Sequence, residues 1–250
     1  MSQQATCPRP PTLAELLPPP DEPMESARHA QQVSVLIESL DYAWARRSDF
    51  YLGGDMPLYY SETQTKTNDF RCPDLFVVLG TSRQPERRAW IVWEEGGKAP
   101  DLIIELLSES TEHVDRGEKK RIYSRSLKVP EYFLFDPFSG VLEGYDLHDV
   151  PEQAAGDEGR HVYVPKLPDS SGRFDTRLGL QLGKVRGTHY GVEADWLRWI
   201  DRSGRPLPMP REDAERANAE TERANAEAER AQRLQAELSE LKKKLAENPT

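Results

Sequence analysis

Glu105 lies in the middle of the most apolar run of the chain, Leu102-Ile103-Ile104-Glu105-Leu106-Leu107. A carboxylate is costly to bury unless it is paired or holds a cation. Strand alternation puts Ile103, Glu105 and Leu107 on one face and Leu102, Ile104 and Leu106 on the other, so Glu105 has no polar face through which to reach water. Alone it fits an ion pair with Arg or Lys as well as a metal ligand or a general base. Asp74 follows Pro73 at the entry to Leu75-Phe76-Val77-Val78-Leu79. An isolated Pro-Asp is commonly a turn. If the two strands are neighbours, however, both carboxylates meet at one end of the sheet. Asp115, Lys119 and Tyr123 follow at four-residue steps and share one helix face. On an arbitrary helix Asp115 and Lys119 would be a solvated pair. Directly after the Glu105 strand, that face turns toward the strand end. Two carboxylates can hold a cation that polarises a phosphate and lowers the pKa of water, and an ammonium can orient the water or offset charge on the phosphate. Phosphodiester hydrolysis can use such a set. Asp101 also follows a proline, but it lies four residues from Glu105, about 13 Å along a strand. That is too far to share one ion.

These side chains need a sheet and at least one helix to position them. The spacing of Val33, Leu36, Ile37, Leu40, Ala43 and Trp44 predicts a helix starting near Ser26 that packs one face on a sheet. Gly53-Gly54-Asp55 is a turn signal between two strand-like runs. Leu75–Leu79, Trp90–Trp93, Leu102–Leu107 and Tyr132–Phe135 read as strands, with a helix from about Val114 to Ser126 after the third. Residues 141–186 alternate short apolar runs with Gly, Asp and Pro, which predicts hairpins. Trp196, Leu197, Trp199 and Ile200 form an apolar cluster expected to cap the domain. Trp90, Trp93, Tyr59 and Tyr60 have the chemistry to stack on bases, but their strand context favours core packing.

The ends differ from the middle. Residues 1–24 are Pro-rich and read as an extended, mobile arm. Residues 25–205 read as the folded domain and 206–250 as a separate tail. In that tail Ala217, Ala224 and Ala231 recur every seven residues, and Leu234, Leu238, Leu241 and Leu245 continue a 4-3-4 seam. This is coiled-coil patterning. Glu/Arg pairing would equally support a lone solvated helix. The net charge of -10 argues against binding nucleic acid by bulk positive charge, but not against a carboxylate site that brings a cation to the phosphate. Cys7 and Cys72 are the only cysteines, so no zinc spacing arises. No apolar run reaches membrane-spanning length and no secretory signal is visible, so a soluble, cytoplasmic protein is expected.

The ordered series Pro73-Asp74-Leu75, Pro100-Asp101 through Ser110-Thr111, Asp115-Arg116-Gly117-Glu118-Lys119, Tyr123, Val129-Pro130-Glu131-Tyr132 and Asp136-Pro137 resembles the Uma2 family of restriction-endonuclease-like proteins, placed in the PD-(D/E)XK nuclease superfamily. The resemblance covers roughly residues 30–190. It implies an α/β fold with a mixed sheet flanked by helices, to which this chain would add β-hairpins and a coiled-coil helix. It also implies a metal-dependent endonuclease acting on DNA, with Mg²⁺ or Mn²⁺ as cofactor. Carried over, Asp74 and Glu105 are the metal-binding acids. The superfamily pattern would place a lysine at position 107, where this chain has Leu107. Lys119 on the following helix takes its place, with Lys120 as the neighbouring candidate. Glu38, on the first helix, is a further candidate for the metal shell. A function of another class is a non-catalytic binding or assembly module on the same fold, self-associating through the heptad tail. The carboxylate set distinguishes the first reading and the acidic charge with the seam the second.

Overall fold

The computed structural model describes residues 27–61, 70–84, 86–108, 110–151 and 160–247. The Pro-rich arm lies outside them. The described residues fall into two compact units, one ending at Leu207 and one beginning at Pro208.

The first unit opens with helix α1 (Ala27–Ala43). The next five strands are β1 (Phe50–Gly53), β2 (Leu58–Tyr59), β3 (Phe70–Arg71), β4 (Leu75–Leu79) and β5 (Trp90–Ile91). Then come β6 (Leu102–Leu106), a short helix α2 (Glu112–Val114), a π-helical turn over Asp115–Lys119, helix α3 (Lys120–Arg125) and β7 (Glu131–Phe135). The unit continues with β8 (Leu142–Asp149), β9 (His161–Lys166), β10 (Phe174–Asp175), β11 (Gln181–His189) and β12 (Val192–Ile200). The main sheet has the order β1-β4-β6-β7-β8-β9. Its β6–β7 pair is parallel and its other pairs are antiparallel. Two three-stranded sheets, β10-β11-β12 and β3-β2-β5, complete the unit.

The main sheet is apolar on both faces, as expected for a sheet covered on both sides. On one face Leu102, Ile104 and Leu106 pack with Leu75, Val77, Val33, Leu36 and Leu40, and with Leu197 and Trp199 of the β10–β12 sheet. On the other, Ile103 and Leu107 pack with Phe76, Val78, Ile122, Tyr123, Tyr132 and Leu134. Helix α1 therefore covers the face opposite to α3. Its docking onto β12 is specific. The Gln32 amide donates to the Leu197 carbonyl at 2.9 Å and accepts from the Leu197 amide at 3.0 Å, as a neighbouring strand would. Trp199 Nε1 donates to the Leu36 carbonyl at 3.0 Å.

Two expected elements change. The run Trp90–Trp93 is a strand only over Trp90–Ile91; from Val92 the chain turns, with the Gly97 amide bonding the Val92 carbonyl. The single helix expected over 114–126 is broken by the π turn, which Tyr132 stabilises by donating from its hydroxyl to the Asp115 carbonyl at 2.9 Å. The cluster at 196–200 belongs to β12 and is fully buried.

The second unit is one helix, α4 (Pro210–Glu247), 38 residues long. Pro210 is at its first position, where a missing amide costs nothing. Glu212 reaches back to accept from the Met209 amide at 2.9 Å, half of a capping box. Among the described residues no helix is long and apolar enough to cross a membrane.

Gln32 yields the test of this packing. Gln32→Leu keeps the volume but strips both backbone groups of Leu197 of their partner, so urea unfolding should show a loss of about 2–5 kcal/mol. An unchanged midpoint would mean that β12 does not depend on α1.

Candidate active site

The ladder between β4 and β6 pairs Leu75 with Ile104. One further step sets Asp74 opposite Glu105, and hydrogen bonds run between the two strand ends in both directions. The Asp74 amide donates to Glu105 Oε2 at 3.2 Å, and the Leu106 amide donates to Asp74 Oδ2 at 2.6 Å. The second Asp74 oxygen takes no part in this latch. Glu105 is fully buried, and its other oxygen accepts from the Tyr123 hydroxyl at 2.7 Å. Lys119, its side chain 11% exposed, places Nζ 3.3 Å from Glu105 Oε2 and 2.9 Å from Asp115 Oδ1.

This arrangement explains both readings of Glu105 at once. It is a buried carboxylate with a lysine partner, and it sits beside a second acid at the sheet rim. The π turn carries Asp115 and Lys119 on the face that meets the end of β6. Such turns occur disproportionately at functional sites. Lys120, one residue on, points elsewhere, its Nζ 3.3 Å from the centre of the Tyr145 ring.

Electrostatics tie the group together. Burial pushes the carboxyls of Asp74 and Glu105 up to about 7, opposed by the Lys119 ammonium. Burial and the neighbouring Glu105 raise Asp115 to about 6. For Lys119, burial pulls the pKa down, but Glu105, Asp115 and Asp74 outweigh it and hold the amine above its ordinary value. The amine is therefore charged at neutral pH.

Asp55, exposed at the Gly-Gly-Asp turn, is a further acid near this group, although its sequence context reads only as a turn. The protein around it raises its carboxyl, against the pull of Lys119 and His29, and its charge acts on Asp74. Its backbone is left-handed, with φ +46°, and its amide donates to the Pro73 carbonyl at 3.2 Å. Gly53 makes this turn possible, since a Cβ there would lie 2.2 Å from the Phe76 ring. The Gly-Gly-Asp element was the available signal. It reads as a turn, and only the tertiary bond to Pro73 brings it beside Asp74.

Glu38 is not brought to this group. It is exposed on α1, which packs on the opposite face of the sheet, and it accepts from the Tyr190 hydroxyl at 3.3 Å. From α1, His29 in the first turn brings a polar group to the sheet end, with Nε2 3.1 Å from the Leu107 carbonyl oxygen. Asp101 lies at the other end of β6, accepting from the Leu79 amide at 2.7 Å. Among the described residues no three His, Cys, Asp or Glu side chains already converge at metal-ligating distance.

Comparison with known proteins adds to the geometry. The uncharacterized protein slr1290 of Synechocystis sp. is 30% identical over 100 residues, which is 39% of this chain and 49% of that protein. The chain thus spans about half the length of this curated relative. A crystal structure described as a putative nuclease belonging to DUF820, from Anabaena variabilis, is similar with a TM-score of 0.38 and 15% identity over 53% of this chain and 77% of that one. The Uma2 family model, described as "Putative restriction endonuclease", matches residues 20–173. That span is more than half of the chain and contains Asp74, Glu105 and Lys119, and on it the chain belongs to the Uma2 family.

Proposed function

We propose that this chain is a divalent-metal-dependent endonuclease that hydrolyses DNA phosphodiester bonds. The observation that carries the reading is the buried ammonium of Lys119, 3.3 Å from Glu105 Oε2 and 2.9 Å from Asp115 Oδ1, with Asp74 bonded to Glu105 across the sheet. Fully ionised, these three carboxylates against one ammonium leave an excess of two negative charges, which a dication would offset. Oxygen donors suit a hard ion such as Mg²⁺ or Mn²⁺. Asp74 and Glu105 would hold it. Two carboxylates are sufficient for such an ion, because it retains waters and takes further oxygens from a phosphate. Bound there, it would supply Lewis acidity toward the phosphate and a water of lowered pKa.

The residues of the chain have distinct parts. The Leu106 amide fixes the Asp74 carboxylate, and the Tyr123 hydroxyl fixes that of Glu105. Lys119 stays protonated, so it acts as a fixed positive charge beside the phosphate and not as a base. Asp115 holds that ammonium from the other side at 2.9 Å, and Tyr132 holds the turn that carries both.

A second reading, assembly through the tail, is favoured by one observation. Leu234 and Leu238 of α4 are 52% and 58% exposed, at adjacent seam positions of the heptad pattern. The two readings are compatible, since the tail lies outside the unit that carries the carboxylates. Sedimentation of the full chain should show association that disappears on truncation at Arg211. A monomeric full chain would remove the assembly reading.

Purified protein with Mg²⁺ or Mn²⁺ should nick supercoiled plasmid, and Glu105→Ala should lose this activity while its far-UV circular dichroism is unchanged. Lys119→Met should lower the rate about 100-fold or more, the usual cost of removing one transition-state donor. Equal cleavage by Glu105→Ala would refute the assignment.

The raised carboxyls predict a pH signature in the metal-free protein. Asp74 in the fold titrates near 7 and in the unfolded chain near about 4, so between these values the folded state binds the extra proton. Stability contributed by this group is present below about pH 4 and is lost as pH rises to 7. Asp74→Asn can still accept from Leu106 but carries no such penalty. Its stability relative to wild type should therefore rise from pH 4 to 7 and level off above. Thermal melts across that range check the sign; a flat difference would contradict it.

A further inference from the structure

Although the chain has a net charge of -10, a concave surface of the opposite character occurs among the described residues. Between the outer side of the π turn and α3 and the strand β9 lies a groove of about 280 Å³, lined among others by Gly117, Lys120, Arg121, Arg125, His161 and Tyr163. Gly117, Arg121 and Arg125 follow at four-residue steps and so form one stripe. The stripe faces away from the Asp115–Lys119–Tyr123 stripe on the same segment.

We infer that this groove binds phosphates of the DNA backbone, a contact separate from the carboxylate site. The inference rests on the nuclease reading and adds what that reading lacks. The acidic site repels DNA until a cation neutralises it, and affinity for a duplex comes mainly from Lys and Arg that replace counterions along the backbone. Arg121 and Arg125 are exposed and, among the described residues, form no ion pair with a carboxylate, so their charges are free for a ligand. Nearby acids are already engaged. Glu143 is held by Arg116 at 2.7 Å and by the Tyr145 hydroxyl, and Glu118 by Arg71. The Lys120 ammonium lies over the Tyr145 ring, and the Asp149 carboxylate sits 2.5 Å from His161 Nδ1, so both side chains have defined positions at the walls. The groove is open at Gly117, where an added Cβ would meet nothing within 4 Å. Such a groove is too polar for an apolar peptide and is suited to a chain of anions. Because it shares its helical segment with Lys119, a backbone held there is tied to the segment that carries the ammonium.

The test is fluorescence anisotropy of a labelled DNA duplex with the full chain in EDTA, where cleavage is off, at several salt concentrations. Wild type should bind with a steep salt dependence. Arg121→Gln/Arg125→Gln should weaken binding and make the slope of log affinity against log salt shallower by about 2, one unit per lost phosphate contact. Gly117→Glu, which has room for its side chain, should weaken binding in the same direction, and Arg186→Gln on the β11–β12 hairpin should not. With Mg²⁺, the double variant should cut plasmid with raised KM and unchanged kcat. If it binds and cuts like wild type while wild type is active, the groove assignment is overturned and the nuclease reading stands. Wild type that neither binds nor cuts overturns both. If inorganic phosphate binds the wild type and not the double variant, while their DNA affinities are equal, the groove is a small-anion site and the assignment is likewise overturned.

Discussion

The reciprocal pairing of Asp74 and Glu105 across the end of the β4–β6 ladder is the constraint on which the rest of the site depends. Each residue uses the other strand's backbone or side chain to satisfy one of its polar groups. This is the extension of a regular register by one pair, so its geometry is inherited from the sheet. A slip of one residue in β6 would move Glu105 to the α1 face and place Ile104 or Leu106 in the site. The apolar residues on both faces of β6 resist that slip, because each has its own packing partners.

The cost of burying Glu105 is met by two neighbours from the same segment. Tyr123 donates to one oxygen and Lys119 lies beside the other. Removing the lysine would leave uncompensated acids in a poorly solvated pocket, so the residue proposed for the chemistry also supports the fold. That dual dependence makes Glu105→Ala and Lys119→Met informative only beside a measure of folding. The raised carboxyls have burial as their main cause, and the neighbouring acids add to it.

The two faces of the π-α3 segment divide the work. The inner one holds the ammonium among carboxylates, and the outer one presents Arg121 and Arg125 beside β9. Tyr132 links this segment to the sheet through the Asp115 carbonyl, and its ring is packed against Tyr123 and Tyr163. The segment is therefore anchored by aromatic packing that carries no charge of its own.

By itself, the sequence determined that Glu105 is buried, that it shares a face with Ile103 and Leu107, and that Asp74 enters a strand, because these follow from local apolar pattern and the period of a strand. It also determined that Asp115, Lys119 and Tyr123 share a helical face. Only the tertiary structure decided that β4 and β6 are neighbours in the register that opposes Asp74 to Glu105, that Asp55 joins them, and that Glu38 does not. That Lys119 and not Lys120 lies beside Glu105 follows from the direction each takes from the π turn, a shift in helical phase that no apolar spacing announces. Strand order and side-chain direction are set by packing between segments far apart in the chain, such as α1 on β12 through Gln32. Local pattern carries no record of which surface a given segment will meet.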